Sequence, residues 1–317
     1  MTGSAGTTRA TPSGPPGPPA SPGPSRRPAL LGWLIAVVRT ARPRQWPKNL
    51  LVFAAPLAGA SLGRDEGFWY ALLAAGAFTA ASAAVYFIND AVDAERDRQH
   101  PVKRLRAVAS GRLPRAQAMV LAAAAAAAAV TAGFWAGRAA VATIVAAYLI
   151  LSICYSLALK HVPVAELLLV ASGFVLRALG GAAATHVPPS GWFLVVCSLG
   201  ALMVAIAKRF TELDALGSEA ASHRPVMRWY SPQPLRWGQR LVAVAMIIAY
   251  LMWAYHERDD WMRAWHLASV LPLSVALIRF DQLAGRATGR PVEDLISRDG
   301  IMVCCEITWL TMFAVGL

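Results

Sequence analysis

The chain has 317 residues, 56% of them hydrophobic and only 15% charged, with a formal net charge of +12. Soluble domains carry about 25% charged residues, so this composition excludes an ordinary water-soluble globule. The basic excess alone would suit nucleic acid, but its placement along the chain gives it another meaning.

Residues 1–28 are rich in Pro, Gly and Ser with scattered Arg. Such a segment cannot bury enough apolar surface to offset its ordering entropy and reads as a disordered cytoplasmic tail. It lacks the apolar core of a signal peptide. Residues 30–38 fit a short helix at the membrane surface, anchored by Trp33. Beyond it, apolar runs long enough to cross about 30 Å of hydrocarbon fall at 48–63, 68–89, 116–137, 139–159, 163–185, 190–207, 239–256, 264–280 and 300–317. The expected fold is all-α: a multi-spanning membrane helix bundle of about nine transmembrane helices, filling residues 29–317 as one catalytic domain. The polyalanine run at 122–129 suits close helix packing. Cys154, Cys197, Cys304 and Cys305 fall within expected spans without CxxC spacing and read as packing residues.

With a cytoplasmic N-terminus, alternate loops hold 25 of the 30 Lys and Arg residues. The opposite side holds Arg64, Arg138, Arg258 and Arg263, and Arg177 lies inside a span. This is the positive-inside bias of a multi-pass plasma-membrane protein. The charge is topological, and no nucleic-acid partner is implied. Three long loops, 90–115, 208–238 and 281–299, then face the cytoplasm.

One of these loops begins with NDAVDAERD. Asn89, Asp93 and Asp97 are spaced i, i+4, i+8, so they drift only about 80° around a helix and form one polar stripe. Hard oxygen donors in a row suit Mg²⁺, which takes its remaining ligands from water and phosphate. The plainer alternative is a solvated helix end whose acids pair with Arg96 and Arg98. HPVKRLRAVASG follows, bringing Lys103, Arg104 and Arg106 near the acids. A metal flanked by cations is an arrangement for gripping a diphosphate, although each Arg also reads as a membrane anchor.

RPRQWPKN at 42–49 places Gln45, Lys48 and Asn49 at a helix start, where backbone N–H groups favour phosphate. Trp46 and Pro47 set depth and entry angle, and Arg42 and Arg44 read equally as topological charge. YSLALKHVPVAE supplies Tyr155, Lys160 and Glu166 between two spans. Arg177 is a functional candidate because a charge inside a span costs at least about 2.5 kcal/mol. Glu166 shares its helix face but lies three turns away, too far to touch it. AKRFTEL brings Lys208, Arg209 and Glu212 to the end of the sixth span, a cation-led set better suited to phosphate than to a second metal. Arg224, Arg228 and Tyr230 follow in a loop placed to cover the site.

NDxxDxxxD after the second of about nine spans resembles the UbiA superfamily of intramembrane prenyltransferases. RPRQWPKN, HPVKRLRAVASG, YSLALKHVPVAELLLVASGFVLRALGGAAAT, KRFTEL and RPVED, in order over residues 40–300, resemble its decaprenyl-phosphate phosphoribosyltransferases of actinobacteria. The resemblance implies Mg²⁺-dependent transfer of 5-phosphoribose from phosphoribosyl pyrophosphate to a polyprenyl phosphate, in supply of cell-wall arabinan. By this resemblance Asn89, Asp93 and Asp97 hold the metal, Asp90 orients the site, and Lys103 and Arg106 neutralise the leaving group. Lys48, Lys160, Lys208 and Arg209 become candidates for the 5-phosphate and the lipid phosphate. The second Asp-rich motif of aromatic-prenylating members is missing, which counts against that activity. A transporter is disfavoured because the polar residues gather at one face. A homo-oligomer is compatible with all of this.

Overall fold

A computed structural model of the chain describes residues 2–3, 29–63, 66–159, 162–217, 225–256, 260–286 and 298–316. Nearly all of the expected tail lies outside these, as do Arg64, Lys160, His161, Arg224, Arg258 and the RPVED motif. All regular secondary structure among the described residues is helical.

Helix α1 (Ala29–Ala41) lies against the start of the bundle. Its Trp33 indole donates to Gln117 Oε1 at 2.8 Å. Leu30, Leu31, Leu34 and Val38 stay exposed on its outer side, as an interfacial helix requires. The first expected span takes an unexpected form: an 11-residue 3₁₀ helix, Pro43–Phe53, followed by α2 (Ala54–Ala58). Pro43 and Pro47 supply no backbone N–H, which disfavours a regular α-helix here. At about 2.0 Å per residue the 3₁₀ segment covers about 22 Å, and α2 adds about 7 Å. Laid end to end they would measure about 29 Å, comparable with the hydrocarbon layer.

The chain continues as α3 (Gly67–Val92), α4 (Ala94–Arg98), α5 (Arg115–Leu157), α6 (Ala165–Ala184), α7 (Gly191–Leu216), α8 (Pro232–His256), α9 (Asp260–Ala284) and α10 (Gly300–Val315). A straight α5 of 43 residues would measure about 65 Å, twice the hydrocarbon thickness. It doubles back instead. A Cβ on Gly133 would lie 3.2 Å from the Ala142 Cα, nine residues on, where a straight helix would separate them by about 13 Å. Its halves, Arg115–Gly137 and Ala139–Leu157, are separate spans. With α3, α6, α7, α8 and α9 they make seven helices apolar and long enough to cross a membrane among the described residues. The sequence suggests nine; where the other two are expected lie the 3₁₀ element and α10, whose 16 residues reach about 24 Å, less than a full crossing.

Helices adjacent in sequence pack against each other, and the 3₁₀ element packs against both α3 and α6. The core between α3, α5 and α6 is built from small residues around Phe78 and Tyr148: Ala74, Ala77, Ala81, Ala129, Ala136 and Ala184. Such residues let backbones approach closely where water supplies no driving force. Gly181 takes this to its limit, since a Cβ there would overlap the Val52 carbonyl. Outward side chains such as Trp135, Leu241 and Leu271 are 71% exposed, a surface for lipid. The up-and-down path brings the C-terminal ends of α3, α5, α7 and α9 to the same end as the N-terminal ends of α6, α8 and α10. That end carries the chemistry.

Candidate active site

Helix α3 ends at Val92, and Asp93 breaks the run (φ −84°, ψ 2°) before α4 resumes at Ala94. Helical bonding nevertheless continues across the break. The Asp93 N–H donates to the Asn89 carbonyl at 2.9 Å, and the Asp97 N–H to the Asp93 carbonyl at 2.8 Å. The stripe is therefore kept, with Asn89 and Asp93 half-buried and Asp97 buried.

Two arginines close on these acids. Arg42 Nη2 donates to Asp90 Oδ1 at 2.7 Å, and its guanidinium lies over the Tyr86 ring, 4.6 Å from the centroid. Arg42 is itself in the left-handed region (φ 53°, ψ 64°). For a residue with a long side chain this is a cost that the ion pair and ring contact help to sustain. Arg106 Nη1 donates to Asp97 Oδ2 at 2.7 Å and lies 3.5 Å from Asp90 Oδ1. Asp90 and Asp97 are each only 3% exposed, so the guanidinium groups supply the compensation a buried carboxylate needs.

The other expected residues divide into three groups. Lys103, half-buried, opens the 3₁₀ turn Lys103–Leu105 close to the stripe. Arg104 is exposed and donates to the Pro101 carbonyl at 3.2 Å. Gln45 and Lys48 are half-buried on the first 3₁₀ helix, below Arg42. Asn49 and Arg177 form a second, deeper knot. Arg177 Nε donates to Asn49 Oδ1 at 2.7 Å, Nη1 to the Gly173 carbonyl at 2.6 Å, and Nη2 to Tyr148 Oη at 3.0 Å and Ser82 Oγ at 3.2 Å. Ser82 is two helical turns before Asn89, so this knot lies about 10 Å further into the bundle than the acids.

The third group ties α6 to α7. Arg209 is buried, 3.2 Å from Glu166 Oε1 through Nε, and bonded to Glu212 through Nη1. Glu166 is thus spanned by Arg209, not by Arg177. Lys208 is exposed next to it, and Tyr155 is half-buried near the end of α5. Above them the Val164 N–H donates to Tyr230 Oη at 3.0 Å, holding Val164 at φ 63°. Arg228 is exposed over the Trp229 ring.

The sequence leaves Arg42 open between a site role and topological charge, and it does not mark Tyr148 or Ser82. Their partners lie 29 to 95 residues away, so only the folded chain brings them together. The Pro after Arg42 was the one local signal of a special backbone.

Among the described residues no three His, Cys, Asp or Glu side chains gather into a group that could hold a metal ion, so a metal here would rest on two carboxylates and an amide. The stripe offers oxygen donors only, and two of its three members stay partly open. That donor set fits Mg²⁺, which keeps waters and binds through one or two carboxylates plus substrate phosphates.

A profile of the UbiA prenyltransferase family matches residues 50–291. The chain is 35% identical over 279 residues to the decaprenyl-phosphate phosphoribosyltransferase of Mycobacterium tuberculosis H37Rv, covering 86% of this chain and 91% of that protein. The Corynebacterium glutamicum protein of the same name is 32% identical, with 86% and 84% covered. Among solved structures the chain is similar to a UbiA homologue from Archaeoglobus fulgidus bound to GPP and Mg²⁺, with TM-score 0.67 and 15% identity over 89% of this chain and 98% of that one. It is also similar to a digeranylgeranylglyceryl phosphate synthase, with TM-score 0.64 and 14% identity over 91% and 98%. At such identities the structural likeness carries the fold alone.

Proposed function

The chain belongs to the UbiA prenyltransferase family, and from that premise we propose that it transfers 5-phosphoribose from phosphoribosyl pyrophosphate to a polyprenyl phosphate, releasing pyrophosphate. Support comes foremost from its 35% identity, over 86% of its length, to a decaprenyl-phosphate phosphoribosyltransferase. The chemistry of the acidic end agrees. The ribose anomeric carbon exchanges its bond to a diphosphate oxygen for one to a lipid phosphate oxygen, and the electron pair of the broken bond leaves on the diphosphate. The attacking phosphate is already anionic, so no general base is required.

Asn89, Asp93 and Asp97 would hold Mg²⁺, which when bound supplies Lewis-acid neutralisation of diphosphate charge. Lys103 and Arg106 neutralise the leaving group from the adjoining loop. Asp90 orients Arg42 and Arg106 around it. Gln45, Lys48, Tyr155 and Lys208, with Lys160, which follows α5 in the sequence, are assigned to the 5-phosphate and the lipid phosphate. At the end of α7, Glu212 is engaged by Arg209 and only Asp214 stands near it among the described residues, which disfavours a second carboxylate row for an aromatic-prenylating site. The charge bias favours a plasma-membrane protein whose acidic end faces the cytoplasm, where the polar donor is made.

The test uses purified protein in detergent with Mg²⁺, radiolabelled phosphoribosyl pyrophosphate and a polyprenyl phosphate, followed by organic extraction. Label in the lipid phase that is lost with EDTA is the expected result. No label there, with product formed from a prenyl diphosphate and a hydroxybenzoate, would replace this function with aromatic prenylation.

A further inference from the structure

Arg106 touches two acids at once, and one of them belongs to the stripe. It lies 2.7 Å from Asp97 Oδ2 and 3.5 Å from Asp90 Oδ1. Asp97 is buried and, with a metal on the stripe, would have to share its charge between that metal and a guanidinium. Two cations on one carboxylate repel, and the repulsion is strong where water is excluded. Arg42 does not face this conflict. Among the described residues its ion pair is with Asp90, and the Tyr86 ring holds it from the other side. The two side chains are equally exposed, at 32%, but Arg106 follows a short 3₁₀ turn in relaxed extended backbone (φ −61°, ψ 149°), whereas Arg42 is held in the left-handed region against the Tyr86 ring.

We propose that Arg106 is an exchangeable counter-ion, which neutralises Asp97 while the stripe holds no metal and transfers to the donor's diphosphate oxygens when metal and donor bind. The inference rests on the reading of Asn89, Asp93 and Asp97 as the metal-holding stripe. Before the exchange, Arg106 keeps a buried carboxylate compensated and competes with the metal. After it, the same side chain makes charge-assisted bonds to phosphate, the stronger class of hydrogen bond. By linkage, a donor that draws Arg106 away from Asp97 strengthens metal binding, and metal strengthens donor binding by the same factor.

The experiment measures Mn²⁺ binding by electron paramagnetic resonance on the purified full chain in detergent, with no donor present. Arg106→Met should tighten Mn²⁺ binding by about fivefold or more, the lower range of site-to-site coupling. At saturating Mn²⁺ the same variant should bind phosphoribosyl pyrophosphate about tenfold more weakly, the scale of one lost charged hydrogen bond. Arg106→Gln keeps N–H donors without the charge and should also tighten Mn²⁺ binding, should the Met variant not remain monodisperse. Unchanged or weaker Mn²⁺ binding in a folded Arg106 variant overturns the proposal. Asp93→Asn separates the two layers. If it abolishes Mn²⁺ binding while Arg106→Met does not tighten it, the exchange is wrong and the stripe stands. If Asp93→Asn leaves Mn²⁺ binding intact, the stripe and the exchange fall together.

Discussion

Arg177 carries a full charge in the middle of the bundle, 6% exposed, and its hydrogen bonds go to Asn49, Ser82, Tyr148 and the Gly173 carbonyl. A guanidinium in such a place needs its donors satisfied, and here a planar fork serves acceptors from four separate segments. The Tyr148 ring adds a cation–π contact with the guanidinium 4.7 Å from its centroid. Arg177→Met would strip the donor from three buried side chains and should cost about 1–3 kcal/mol of stability, read as a lower melting midpoint in detergent. Arg177→Lys should restore little, because one ammonium cannot reproduce the fork. An unchanged midpoint for both variants would show that the knot contributes nothing. The sequence marks this residue through the cost of a charge in a span. It cannot name the partners, which the fold brings from as far as 128 positions away.

Between elements, the decisive contact is the one Gly181 permits. The 3₁₀ element lies so close to α6 that a methyl group at Gly181 would overlap the Val52 carbonyl, three residues from Asn49. Gly181→Ala should therefore push the first element off α6, stretch the Asn49–Arg177 bond and cost about 1–3 kcal/mol as an overpacked core; a crystal or cryo-electron structure of the variant would locate the shift. At the opposite flank, Tyr230 clamps the α5–α6 loop. Burial holds its phenol above the ordinary Tyr value, with Glu166 acting in the same direction against the Val164 N–H and Arg209. A pKa raised on folding contributes stability that is full below the unfolded value, about 10, and lost as pH rises through the folded one. Melting midpoints of the wild type should fall on going from about pH 9 to above pH 10, and Tyr230→Phe should flatten that fall. Long α-helical spans were legible because apolar runs and charged ends mark them. The 3₁₀ element was not, because two prolines change the rise per residue while leaving the hydropathy pattern almost unaltered. The stripe at Asn89, Asp93 and Asp97 was legible from its period, but its break at Asp93 and the grip of Arg42 were not, since both depend on neighbours distant in sequence.

For the molecule as a whole, parity joins the separate observations. The acid stripe closes α3, Glu166 opens α6, and Arg209 and Glu212 lie near the end of α7. An up-and-down chain can gather all of them only at one end. The turn of α5 near residue 138, the 185–190 connection and residues 59–63 then share the other. Residues of that second end do meet: Ala58, Gly59, Val187, Ser190, Phe193 and Trp253 line one small cavity. Because 25 of the 30 Lys and Arg residues fall in the sequence segments expected at the acid-bearing end, the positive-inside rule predicts that this end faces the cytoplasm. Two single cysteines in a background lacking Cys154, Cys197, Cys304 and Cys305 test this. Val102→Cys probes the stripe-side loop, where Val102 is 70% exposed. Gly63→Cys probes the other end, where a new side chain meets open space. A membrane-impermeant maleimide should label Val102→Cys only in inside-out vesicles and Gly63→Cys only in right-side-out vesicles. The reverse pattern would put the acids outside the cell, away from a cytoplasmic phosphorylated donor, and would rule out the proposed transfer even with the fold intact.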